Sequence, residues 1–200
     1  LFRSIVNDIK GENWTRTAGY RSAHGQQVYL FDPLAPDART ARWNPLAYVA
    51  EAPLYRTIDD LHRIAGMLYP DPPGTDPFWS TSARSLFLGI ALYLFEKPGA
   101  TRTLGEILRQ GMASDAEGFQ KHWRHLIAAC AQAGYPLSMQ TVQLLSDITD
   151  LAAVTASSIR KTFTSRLDLW LNPMVDAATA GNDFDLRQLR RQPISLYCRI

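Results

Sequence analysis

The sequence predicts a mainly α protein, a multi-helix all-α bundle set into an α/β layer of which only short flanking strands and helices are present. Three observations predict it. β-prone runs stand at both ends of the 200 residues, helical patterns fill the middle, and no internal repeat or low-complexity linker interrupts the series. A bundle flanked by strands at both ends must leave and rejoin one sheet, so the helical part reads as an insertion. The expected divisions are residues 1–45 as an N-terminal flanking α/β segment, 46–181 as an all-α domain, and 182–200 as the return segment to the sheet.

The β-prone runs are Ser4 to Asn7 and Gln27 to Phe31, separated by a polar stretch from Gly11 to Gly25 that is long enough for one helix. Asp32-Pro33 ends the second run, and a third candidate strand runs from Ile194 to Ile200, after Pro193 and a short helical pattern over Asp185 to Arg190.

The helical middle opens with Thr57 as a candidate N-cap and Asp60 three positions on, with Leu61, Ile64, Ala65 and Leu68 on one face and Pro70 as the stop. Thr75 or Asp76 caps the next helix, with Pro77 in its first turn, where a missing N–H does no harm. That helix runs to about Glu96. Phe78, Trp79, Leu86, Phe87, Leu88, Ile90, Leu94 and Phe95 surround it on nearly all sides, which marks a central buried helix.

Thr103 with Glu106 and Ser114 with Glu117 repeat the capping-box spacing. They predict a short helix to Met112 and a longer one carrying Phe119, Trp123, Leu126, Ile127 and Cys130. Two further helical stretches follow from Leu137 to Trp170, the second with Ala156, Ile159, Phe163, Leu167 and Trp170 in register until Asn172-Pro173 stops it. Trp79, Trp123 and Trp170 read as core anchors rather than a stacking platform for nucleic acid.

Composition excludes several classes. A content of 46% hydrophobic and 20% charged residues belongs to an ordinary globular chain. Cys130 and Cys198 stand far apart with no CxxC or Cys/His ligand spacing, so neither a disulfide framework nor a zinc site is indicated, and a reducing cytosol fits best. The longest apolar run, Leu86 to Phe95, is half of the ~20 residues a bilayer crossing requires, so no membrane insertion is expected. The chain starts with Leu rather than Met and has neither the basic start nor the cleavage site of a signal peptide, so it reads as a piece of a longer protein.

Residues 1–45 carry six basic and four acidic groups, residues 46–181 eleven and thirteen, and residues 182–200 four and two. The helical part is therefore mildly acidic overall and lacks the clustered Lys/Arg excess of a non-specific DNA binder. Its best candidates for DNA or partner binding are Arg160, Lys161 and Arg166, close to a helix C-terminus where they also complement the helix dipole.

There is no GxxxxGK[ST] phosphate loop and no GxGxxG turn. Ser158 and Lys161 match SxxK, but no KTG or SDN partner accompanies them. His122 and His125 share one helix face with no third ligand indicated, so they read as a surface or interface pair. No catalytic, cofactor-binding or metal residue is assigned. The sharpest local cluster is Asp8, Lys10 and Glu12, just beyond the end of a strand, where open α/β sheets place ligand-contacting loops. The same residues also suit a polar loop in which Gly11 eases a turn and Glu12 opens a helix.

Several segments, taken in order, carry a resemblance. They are DIKGEN at 8–13, TAGYR at 17–21, FDP at 31–33, RWNPL at 42–46, DPFW at 76–79, LDLW at 167–170 with Asn172-Pro173, DFDL at 183–186 and PISLY at 193–197. Over nearly its whole length the chain resembles the cytosolic part of type IV secretion coupling proteins, the TraG-type ATPases of conjugation and effector export. The resemblance implies a RecA-like motor domain for the flanking pieces, making Asp8, Lys10 and Glu12 candidate motor-loop residues. It also implies a membrane-distal all-α domain that selects relaxase, DNA complexes or effector proteins.

In that family the phosphate loop lies upstream of the DIKGE-like segment and the Walker B strand downstream of the PISLY-like one. This chain is therefore expected not to be an enzyme by itself and to hold no cofactor. ATP and Mg are expected for a hexameric parent anchored at the cytoplasmic face of the bacterial inner membrane, with relaxase or effector cargo, other secretion components and, in an alternative reading, DNA itself as partners.

Overall fold

A computed structural model describes residues 3–71, 73–74 and 76–199. The chain forms two compact units, one of residues 1–45 with 171–200 and one of residues 46–170.

In the first unit, β1 (Ser4–Asn7), α1 (Glu12–Ala23) and β2 (Gln27–Phe31) come from the start of the chain, and α8 (Pro173–Ala178) and β3 (Ile194–Cys198) from its end. The strands form a parallel sheet in the order β1-β3-β2, so the last strand lies between the first two. Sequence dictates that placement. Ile194, Ser195, Leu196 and Tyr197 are buried in succession, as a strand covered on both faces requires, whereas β1 alternates between exposed and half-buried positions. The expected third strand stops at Cys198, and Ile200 lies outside the described residues.

α1 packs on the sheet through polar contacts as much as apolar ones. The Arg21 guanidinium donates to the hydroxyls of Ser4 and Ser195, Thr17 Oγ1 lies 2.6 Å from the Tyr197 hydroxyl, and Trp14 meets the Tyr197 ring edge-on at 5.4 Å. Ser195 is fully buried, so this network satisfies a hydroxyl that would otherwise be costly to desolvate.

Residues 171–181, expected to close the helical domain, group instead with the sheet. The reason is a clamp between two stretches of the first unit. Trp43 N–H donates to Ala178 O, Asn44 N–H to the Asn182 side chain, and Arg42 grips Asp183 through its backbone N–H at 2.8 Å and Nη2 at 2.8 Å. Asn172-Pro173, expected to stop a helix, starts one: Asn172 Oδ1 accepts from Met174 N–H as the N-cap of α8.

The second unit comprises α2 (Leu54–Leu68), α3 (Pro77–Glu96), α4 (Leu104–Met112), α5 (Phe119–Gln132), α6 (Met139–Thr149) and α7 (Ala153–Ser165). α3 is the axis, packed against α2, α4, α6 and α7. Every residue from Leu86 to Leu94 is buried, because helices surround this stretch on all sides. Its N-terminus departs from the expectation of all-round burial. Phe78 and Trp79 remain 44% and 40% exposed, stacked edge-on to each other at 5.0 Å. Trp123 is a fully buried anchor and Trp170 a half-buried one, but Trp79 is not.

Caps explain which boundaries hold. Asp76 accepts from Phe78 N–H and Thr103 from Glu106 N–H, as expected; the alternative cap Thr75 lies outside the described residues. Thr57 does not cap α2, which begins three residues earlier at Leu54. The buried Thr57 hydroxyl donates to Ala50 O while Asp60 accepts from Ala50 N–H, so the pair fastens the preceding loop.

Ser114 and Glu117 likewise do not open α5. Asp115 closes a turn by accepting from Glu117 N–H, and the helix starts at Phe119 after Gly118 at φ 99°. α7 ends at Ser165, and a short 3-10 turn, Asp168–Leu171, carries Trp170.

Candidate functional site

Parallel pairing brings the carboxyl ends of the strands level. Asn7 and Phe31 both register with Cys198, so the residues that follow them, Asp8, Asp32 and Arg199, share one edge of the sheet. Arg199 Nη1 lies 3.5 Å from Asp32 Oδ2, and its guanidinium covers Gly11, where an added Cβ would lie 3.4 Å from Nη1. Asp32 and Arg199 line a cleft of about 820 Å³ together with Trp14, Tyr29 and Thr40. In the sequence Asp32 stood out only as the end of a strand within FDP, and Arg199 not at all. What identifies them is strand order, which local pattern does not reveal.

Asp8 is buried, and its carboxylate turns inward to α1. Oδ2 accepts from Trp14 N–H at 2.7 Å, and Oδ1 accepts from the backbone and side-chain nitrogens of Asn13, both at 3.1 Å. Gly11, at φ 72°, supplies the left-handed turn that lets Asp8 reach over it. Asp8 thus does the work of an N-cap from three residues further out, satisfying first-turn N–H groups and facing the positive end of the helix dipole. Lys10 and Glu12 are exposed. The structure therefore separates the three residues of this cluster: one is a structural anchor and two face solvent.

Burial alone would raise the Asp8 carboxyl, but the hydrogen bonds from Trp14 and Asn13 and the nearby Arg199 charge outweigh it and hold it below the ordinary carboxylate range. A depressed folded-state value means the stabilisation is complete above the unfolded value, about 3.9, and is lost as pH falls through the folded one. Thermal melts between pH 7 and pH 3 should show the Asp8→Asn variant less acid-sensitive than the parent chain. Parallel pH profiles for the two chains would contradict this role.

In the helical unit the basic candidates differ in burial. Arg160 is half-buried, its Nε donating to Gly111 O at 2.9 Å, its Nη2 to Met112 O, and its guanidinium 4.8 Å from the centre of the Phe119 ring. It caps the last carbonyls of α4. Lys161 and Arg166 are exposed.

Other arginines that could have joined them are engaged too. Arg102 pairs with Glu51 at 2.7 Å, Arg109 with Glu106 at 2.8 Å, and Arg124 with Asp150 at 2.8 Å. Arg124, Arg160 and Lys121 line a second cleft, of about 490 Å³, formed by the start of α5, the α6–α7 turn and the start of α7.

Ser158 donates its hydroxyl to Val154 O, and His125 is exposed and reaches Asp115 at 3.1 Å and Glu117 at 3.7 Å. His122 is half-buried, its Nε2 without a hydrogen-bond partner among the described residues. Among the described residues no group of three or more His, Cys, Asp or Glu side chains is placed to hold a metal ion. Among the same residues no helix is long and apolar enough to cross a membrane.

Comparison with known proteins places this geometry. The family described as "Type IV secretory system Conjugative DNA transfer" matches residues 3–200. The conjugal transfer protein TraG of Escherichia coli is 28% identical over 97% of this chain and 31% of its own length. Protein VirD4 of Agrobacterium fabrum is 30% identical over 96% of this chain and 28% of its own length. The chain thus spans about a third of these relatives. Among solved structures, the bacterial conjugative coupling protein TrwB, in an unbound form lacking its N-terminal segment, superposes with a TM-score of 0.58 at 15% identity. That superposition covers 99% of this chain and 39% of TrwB, and it shows a shared fold.

Proposed function

We propose, because this chain belongs to the type IV secretory system conjugative DNA transfer family, that its helical unit is the all-α recognition domain of a coupling protein, inserted in a RecA-like motor domain. In this reading it docks relaxase or effector proteins and delivers them to the secretion channel. The observation that carries it is the internal use of arginine. Arg102, Arg109 and Arg124 each hold a carboxylate of their own unit. A track along nucleic acid needs several cations free to neutralise phosphates.

The motor activity, with ATP and Mg, hexameric assembly and inner-membrane anchoring, belongs in this reading to the whole protein, of which the chain corresponds to about a third of the relatives' length. The 200 residues contain no phosphate-loop motif and are proposed to recognise rather than catalyse.

Binding of the whole chain to candidate protein cargo, and to single- and double-stranded DNA, at low and moderate salt tests this. Cargo binding that persists at moderate salt is the expected result. DNA binding that falls steeply with salt, and weakens when Lys161 and Arg166 are both replaced by alanine, would transfer the function to direct DNA contact.

A further inference from the structure

The cleft at the start of α7 has a charge balance opposite to that of its unit. Five charged side chains line it, and four neutralise each other: Lys121 pairs with Glu117 at 2.9 Å and Arg124 with Asp150 at 2.8 Å. The fifth is Arg160. It touches two carbonyl oxygens and the face of Phe119, but no carboxylate among the described residues lies within 4 Å of it. A half-buried cation without a counter-ion is under-compensated, and burial already lowers its tendency to stay charged. The accepting groups nearby are occupied: Gln120 Nε2 donates to Thr149 O and Leu151 O, both at 2.8 Å. The cleft also has an apolar part, with Phe119, Leu151 and Ala156 among its lining.

We propose that this cleft docks an acidic segment of a protein partner, a Glu or Asp side chain meeting Arg160 while a neighbouring apolar side chain of the segment packs on the half-buried Leu151. This rests on the recognition reading above and gives it a place and a chemistry. The mildly acidic net charge of the helical domain would by itself suggest basic partners; the local geometry selects the opposite sign. A guanidinium with no opposing carboxylate still offers its remaining N–H groups and its charge to one carboxylate. It offers a nucleic acid only one of the several phosphate contacts that nucleic-acid affinity requires.

The test uses the whole chain and a fluorescein-labelled hexapeptide alternating glutamate and leucine, with the matching glutamine peptide as control, read by anisotropy. The glutamate peptide should bind at least about ten-fold more tightly than its control. Ser157 is exposed and lines the cleft, so Ser157→Glu should weaken that binding about ten-fold with the melting temperature unchanged. Arg160→Gln should weaken it at least as much, but it also removes the bonds to Gly111 O and Met112 O and lowers the melting temperature, so Ser157→Glu is the deciding variant; Arg160→Lys should retain part of the affinity.

Equal binding of the two peptides, an unaffected Ser157→Glu variant, or equally effective competition by single-stranded oligothymidylate would each overturn the proposal. Protein cargo separates the two readings. Cargo that binds Ser157→Glu as well as the parent chain leaves the recognition reading standing and removes this cleft from it. Peptide binding that behaves as described while no cargo binds at all leaves the cleft standing and removes the recognition reading.

Discussion

Gly111→Ala is expected to destabilise the helical unit by about 3 kcal/mol, the upper end of what overpacking a core costs. A Cβ on Gly111 would sit 2.1 Å from Phe163 Cε1 and 2.9 Å from Cζ, distances no real contact tolerates. The ring has nowhere to go. Phe163 is fully buried, stacks on Tyr69 with centroids 6.1 Å apart, and its carbonyl accepts from the Tyr69 hydroxyl at 3.0 Å.

The helix backbone is equally fixed, since Gly111 O accepts from Arg160 Nε. α4 and α7 must therefore separate or twist. Combining Gly111→Ala with Phe163→Leu should cost clearly less than the sum of the two single changes, because both act on one contact. Chemical denaturation of the four chains measures it. A Gly111→Ala chain within about 0.5 kcal/mol of the parent would mean that α4 and α7 part easily at this contact.

How far such features are legible in the sequence depends on how local their cause is. The three strands, α3, α4 and the Asp76 and Thr103 caps follow from neighbours along the chain, and the sequence predicts them closely. Thr57 and Ser114 carry the same capping spacing, yet Thr57 holds the backbone of Ala50 and Asp115 displaces Ser114. Side-chain oxygens near a helix start have several backbone partners in reach, and geometry chooses among them. Asn172-Pro173 is ambiguous for a related reason, since an Asn before Pro suits the end of one helix and the start of another.

The site was less legible than the fold because its causes are long-range. Asp8 draws attention as a charged loop residue, but only the turn at Gly11 reveals that its carboxylate serves α1. Arg199 and Asp32 meet across 167 positions of sequence because β3 inserts between β1 and β2. Arg160 looks from sequence like one of a basic trio; its neighbours Gly111, Met112 and Phe119 come from other elements, and the cleft it lines includes neither Lys161 nor Arg166.

Trp123 provides the second large effect. Trp123→Ala should cost about 4 kcal/mol, in the range for emptying a buried aromatic site, and Trp123→Phe no more than about 1.5 kcal/mol. The indole is fully buried, edge-on to Tyr93 at 5.3 Å and to Phe119 at 6.4 Å. Its Nε1–H is buried with no acceptor among the described residues, so the indole bears an unrewarded desolvation cost that phenylalanine avoids. Alanine makes the same saving but leaves a far larger cavity, whereas phenylalanine fills most of the site. Urea unfolding followed by circular dichroism separates the cases, and a loss for Trp123→Phe well above about 1.5 kcal/mol would show that the N–H has a partner after all. The outcome bears on function because α5 also carries Lys121 and Arg124. Trp123→Phe should leave acidic-peptide binding intact, whereas Trp123→Ala should weaken it only in proportion to the unfolded fraction.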